Sequence, residues 1–132
     1  MAPRRSLREY APAPMEHVTL SVPAAPEFRG VVRLVVGGIA SRCGLSFEHV
    51  DDLQMAVDAL LNSQRTATEE LELDASIGEC LRLRVGPFDD RGGDSSQRVL
   101  RALVPGVQTV ALGGHEWIEL ALPLPISGED GA

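Results

Sequence analysis

At 132 residues, 44% of them hydrophobic, the chain is sized for one globular domain with a core of its own. A formal net charge of −7 argues against nucleic acid as the main partner, since binding phosphate backbones requires a basic face. No apolar run approaches the roughly 18 residues of a membrane span, and the absence of lysine removes Schiff-base and P-loop chemistry.

Residues 1–14 are rich in Pro, Ala and Arg without periodicity and read as a flexible tail. Their basic start is not followed by an apolar signal-peptide core, so the expected compartment is the cytoplasm. Residues 15–126 form the domain, and 127–132 a second flexible tail. His17-Val18-Thr19-Leu20-Ser21-Val22 alternates polar and apolar, the pattern of a half-buried strand. Pro23 ends it, and Pro26 suits a first helical turn. From Glu27 to Arg42, Val31, Val32, Leu34, Val35 and Ile39 recur at helical spacing. Gly37-Gly38 costs roughly 1 kcal/mol of helix propensity per glycine, tolerated where another backbone packs close. Gly44 stops this helix.

Ser46 is a good N-cap for a second helix, with Glu48, Asp51 and Asp52 in its early turns. Leu53, Val57, Leu60 and Leu61 form its apolar stripe, which ends near Thr66. Glu70–Ser76 and Leu81–Val85 alternate around Gly78-Glu79 as a β-hairpin. Gly86 through Ser95 reads as a loop. Val99, Leu100, Leu103 and Val104 then mark a short third helix, stopped by Pro105-Gly106. Two strands, Val107–Leu112 and Glu116–Leu122, flank Gly113-Gly114. The order βααββαββ predicts an α+β fold: a mostly antiparallel sheet with helices on one face.

Few residues stand out chemically. Asp58 and Asn62, one helical turn apart, could offer two oxygens to a metal or nucleotide, or simply form a solvated helix face. His17, His49 and His115 fall on separate elements without ligand spacing, and Cys43 and Cys80 lack the spacing of a zinc site. Both thiols read as small hydrophobes. Ser95-Ser96, ahead of the third helix, reads as capping. Gly92-Gly93-Asp94-Ser95 is the one glycine-rich stretch placed to cradle phosphate, but it lacks the P-loop pattern. Arg29 and Arg33 share a helix face, which suits either an acidic partner surface or local carboxylates.

Val22-Pro23-Ala24-Ala25-Pro26-Glu27-Phe28, Val32-Arg33-Leu34, Ile39-Ala40-Ser41-Arg42-Cys43-Gly44 and Asp52-Leu53-Gln54-Met55-Ala56-Val57 follow one another in a single register. This run resembles the bacterial anti-sigma-factor serine kinases of the general-stress and sporulation switches, members of the GHKL ATPase superfamily. The likeness is densest from Val22 to Val57 and continues more loosely through Val99–Val104 and the last two strands. It implies a two-layer α/β sandwich of the GHKL (Bergerat) type.

The family's chemistry rests on a second-helix box, in which a Glu acts as general base and an Asn four residues later holds Mg²⁺. The ungapped register puts Ala59 at the Glu position and Ser63 at the Asn position. Neither replaces the original chemistry, because a methyl takes no proton and a lone hydroxyl is a poor substitute for an amide oxygen. Sliding by one residue would align Asp58 and Asn62 instead, but it rotates the helix by roughly 100° and misplaces the apolar stripe. The family's Asp-x-Gly-x-Gly box, whose Asp reads adenine, is replaced by Val85-Gly86-Pro87-Phe88-Asp89-Asp90. The loop that closes over ATP is short, with only Gly92-Gly93 resembling its end.

The resemblance therefore implies an eroded ATP pocket around Asn62, Ser63, Asp89, Gly92 and Gly93, with no catalytic residue, no metal and no cofactor expected. ATP and Mg²⁺ would be the cofactors if the site still works. Arg33 matches a family position that contacts partners, and Arg29 lies one turn before it. The expected function is a partner-switching regulator that binds a sigma factor or an anti-anti-sigma factor and can form a homodimer. The alternative is an active serine kinase using Asp58 as its fallback base and phosphorylating an anti-anti-sigma factor.

Overall fold

The computed structural model describes residues 16–89 and 94–125. A five-stranded antiparallel sheet, ordered β1-β2-β3-β5-β4, is covered on one face by three helices. The strands are β1 (Glu16–Pro23), β2 (Glu70–Ile77), β3 (Cys80–Phe88), β4 (Gly106–Leu112) and β5 (His115–Pro123). The helices are α1 (Arg29–Arg42), α2 (Phe47–Ser63) and α3 (Asp94–Leu103), with a 3-10 turn at Pro26–Phe28 leading into α1. The α+β class and the element order are those expected from the sequence. Both expected tails, residues 1–14 and 127–132, lie outside the described residues.

The core forms between the helices and the inward faces of the strands. Val32, Val36 and Ala40 of α1 meet Leu53, Val57 and Leu60 of α2, above Leu73, Leu83, Val85 and Leu120 of the sheet. Each of these side chains is essentially removed from water, which stabilises the fold by roughly 1.5–3 kcal/mol per large aliphatic group. Leu100 and Val104 close the core on the α3 side. Among the described residues no helix is long and apolar enough to cross a membrane.

Local signals in the sequence act as expected at several ends. Gly44 adopts φ +79°, with Gly44 N–H donating to Ser41 O and Leu45 N–H to Ala40 O; this closes α1 in a Schellman turn. Ser46 Oγ accepts from His49 N–H at 3.2 Å and caps α2. Gly113 and Gly114, both at positive φ, make the tight β4–β5 turn.

The apolar residues at helical spacing in α1 divide between its two sides: Val32 and Ile39 are buried, whereas Val31 and Leu34 are 41% and 73% exposed. Four expectations need correction. Gly37 is not needed for backbone contact: a Cβ there would overlap the amide of Gln54, and Gly38 faces open space. The stretch from Gly86 is not wholly loop, since β3 continues to Phe88 through a register shift after Val85. Its partner there is the chain just beyond α2, which stops at Ser63 and not near Thr66. Thr66 bridges Phe88, Ala67 N–H donates to Pro87 O, and Asp89 N–H donates to Arg65 O. Finally, α3 begins at Asp94, so Ser95 and Ser96 lie inside its first turn and not ahead of it.

Candidate functional site

Helices α1 and α2 run antiparallel, and each presents a residue every four positions to the other. Three successive rungs result. Arg29 Nη1 donates to Asn62 Oδ1 at 2.7 Å. Arg33 Nη1 lies 3.3 Å from Asp58 Oδ2. Gln54 Nε2 donates to the backbone oxygen of Arg33 at 3.1 Å, over Gly37. Spacing of i, i+4, i+8 keeps 29, 33 and 37 on one stripe of α1, and 62, 58 and 54 on the facing stripe of α2. The rungs are partly solvated, so each ion pair or hydrogen bond contributes at most about 1 kcal/mol.

Asp58 and Asn62 are therefore engaged by the two arginines expected to face a partner. Arg33 keeps its side chain 49% exposed beside Leu34 and Val31, so its outer edge and a neighbouring apolar patch remain accessible together. Ala59 packs against the core as a partly buried methyl. Ser63 Oγ donates to Leu60 O of its own helix at 3.3 Å, which satisfies the hydroxyl locally. The two α2 positions that the sequence resemblance assigned to base and Mg²⁺ thus hold one group without a proton acceptor and one hydroxyl turned to its own helix. This donor set does not fit Mg²⁺, which takes a near-octahedral shell of oxygens and is usually held through a carboxylate.

The far end of this helix pair opens on a cavity of about 390 Å³, walled by the end of β1, the turn into α1, the last turn of α2 and Phe88. Asn62 and Ser63 line it, whereas Asp58 and Asp89 do not. Asp89 instead closes the β3 extension against Arg65 through its backbone. Phe88, 1% exposed, fills core at the end of β3. Gly92 and Gly93 lie outside the described residues. Among the described residues no group of three His, Cys, Asp or Glu side chains could hold a metal ion. His17 approaches Asp74 at 3.7 Å and His49 joins the Ser46 cap, so these two histidines have local partners.

Two features escaped the sequence reading. Arg65 lines the cavity; it sits beyond the apolar stripe, in a segment read as helix. Glu119 is buried on the helix-free face of the sheet, with Arg84 Nε at 3.0 Å, Arg82 Nη1 at 3.4 Å and Gln108 Nε2 at 3.3 Å. Burial raises its pKa, but the hydrogen bonds from Arg84 and Gln108 and the two positive charges outweigh it, leaving the carboxyl below its ordinary value. The signal was available: Arg82, Arg84 and Glu119 all occupy outward positions of alternating strands.

No family model matches the chain. It is similar to the serine-protein kinases RsbW of Bacillus velezensis and Bacillus subtilis, at 34% and 38% identity over 77 residues, or 58% of this chain. Those matches span 46% and 45% of the two relatives, so the chain matches less than half the length of each. RsbW of Listeria monocytogenes is 45% identical over 53 residues, covering 39% of this chain and 34% of the relative. A crystal structure of RsbU and RsbW domains from Mycobacterium tuberculosis superposes with a TM-score of 0.63, over 86% of this chain and 33% of that one. At 18% identity, this last likeness speaks for the fold. Relatives in sequence and a neighbour in architecture agree: over 77 residues the chain is similar to RsbW serine-protein kinases, and its fold is that of the RsbU–RsbW domain structure.

Proposed function

We propose that the chain is a partner-switching regulator that binds a sigma factor or an anti-anti-sigma factor through the outer face of α1 and does not transfer phosphate. The observation that carries this reading is that Ala59 and Ser63, which the sequence resemblance sets at the base and metal positions, are packed on the core and bonded to their own helix respectively. The fallback pair supports it as well, because Asp58 and Asn62 face α1 in the grip of Arg33 and Arg29. A proton acceptor must reach the hydroxyl it activates, and Asp58 is turned to α1, 3.3 Å from Arg33. On this reading ATP and Mg²⁺ are not cofactors of this chain, and its place of action is the cytoplasm.

Binding would use what α1 leaves outward. Leu34 and Val31 supply apolar area, and Arg33 supplies a charge that can be shared between Asp58 and an acidic residue of the partner. Burying Leu34 in a partner groove is worth about 1–2 kcal/mol, enough to make it an anchor. The relatives' name as serine-protein kinases supports the opposite reading, an active kinase, and one experiment separates the two. The purified chain is mixed with an anti-anti-sigma protein or a sigma factor from its own cell, with Mg-ATP present. The regulator reading expects a complex on gel filtration and no phosphoserine by mass spectrometry. Phosphate on the anti-anti-sigma protein, or no complex with either partner class, would refute it.

A further inference from the structure

The cavity between α1 and α2 differs from its surroundings in charge. The chain carries a net −7, yet the rim of this cavity holds Arg29 and Arg65 and no carboxylate lines it among the described residues. Neither arginine has an ion pair among the described residues, and the one hydrogen bond of Arg29 goes to the neutral Asn62. The C-terminus of α2 lies alongside, but a helix end carries only about half a negative charge and leaves two guanidiniums largely uncompensated. Beneath the rim the cavity reaches the edge of the core, where Val22, Leu61, Leu71 and Phe88 line it at 8%, 5%, 5% and 1% exposure. Its volume of about 390 Å³ falls within the range of small-molecule sites.

We propose that this cavity binds a small organic anion, a carboxylate or phosphate monoester on an apolar body. Arg29 and Arg65 would hold the head, with the body on Val22, Leu61, Leu71 and Phe88. Guanidinium groups present paired N–H donors that match both head groups, and they repel cations. An uncharged ligand would leave both arginines unanswered, and an inorganic anion would leave the apolar floor wet. The inference stands apart from the regulator reading: it concerns the α1 side of α2 and needs neither a partner nor ATP.

The test is a titration of the full chain with phenylacetate, phenyl phosphate and the neutral phenylacetamide, followed by methyl NMR shifts of Val22, Leu61 and Leu71. At least one of the two anions should saturate those shifts with an affinity roughly tenfold above the amide. Which anion binds more tightly identifies the head group. Arg65→Gln should weaken the tighter anion by roughly tenfold while leaving Tm within a few degrees, because Arg65 is exposed and has no ion pair among the described residues. Arg29→Gln should weaken it similarly. No saturable shift at about 10 mM of either anion, equal affinity for the amide, or an unchanged affinity in Arg65→Gln would overturn the proposal.

Discussion

Replacing Glu119 by Gln keeps the shape of the side chain and removes its charge from beneath Arg82 and Arg84. Glu119 is only 4% exposed in its side chain, whereas the arginines are 53% and 43% exposed. Breaking a fully buried pair costs about 3–5 kcal/mol and an exposed pair about 0–1 kcal/mol. A buried carboxylate under two half-solvated guanidiniums lies between these limits, at about 1–2 kcal/mol. For a domain of this size that is a fall in Tm of about 4–8 °C. The pH dependence follows from the lowered carboxyl pKa. The charge stabilises the fold fully above the unfolded pKa of about 4.3, and this contribution is lost as pH falls through the lower folded value. Thermal unfolding of wild type and Glu119→Gln should therefore differ at pH 7 and converge in strong acid. Equal stability at pH 7, or a difference that persists at pH 2, would refute the reasoning.

Three further outcomes follow from particular contacts. Gly86→Ala would place a Cβ 2.8 Å from the Trp117 ring, so urea unfolding should show a loss of about 1–3 kcal/mol. Trp117 is the sole tryptophan and its Nε1 is buried with no partner among the described residues, so displacing the ring should also shift its emission to the red. Ser46→Ala removes the cap on α2 and should cost about 1 kcal/mol by the same assay. Leu34→Asp should leave Tm within a degree or two, because the side chain is 73% exposed, yet weaken the sigma or anti-anti-sigma complex at least roughly tenfold in calorimetry.

The order of strands and helices was legible because each element carried its own period and its own stop. Alternation in Glu70–Ile77, the 53/57/60 stripe of α2, the Ser46 cap and the glycines at 44, 113 and 114 each act locally. What escaped depends on pairing between distant segments. Residues 64–67 read as the end of a helix until β3, extended through Gly86 and Pro87, offers them a partner. Val31 and Leu34 fit a helical period but lie on its outer side, because β-sheet and α2 together cover less than half of α1. The site was half legible. The arginine pair on α1 and the Asp58/Asn62 pair on α2 were visible as i, i+4 spacings. That these two pairs answer one another rung by rung was not, since it requires α1 and α2 to lie antiparallel at matching height.

The most direct measurement of the central claim is a calorimetric titration of the purified chain with Mg-ATP. The account predicts no saturable heat up to about 1 mM nucleotide, in keeping with a second helix that offers a methyl and a self-bonded hydroxyl. A micromolar Kd that disappears in Asn62→Ala or Asp58→Ala would contradict it and return the chain to the kinases it resembles.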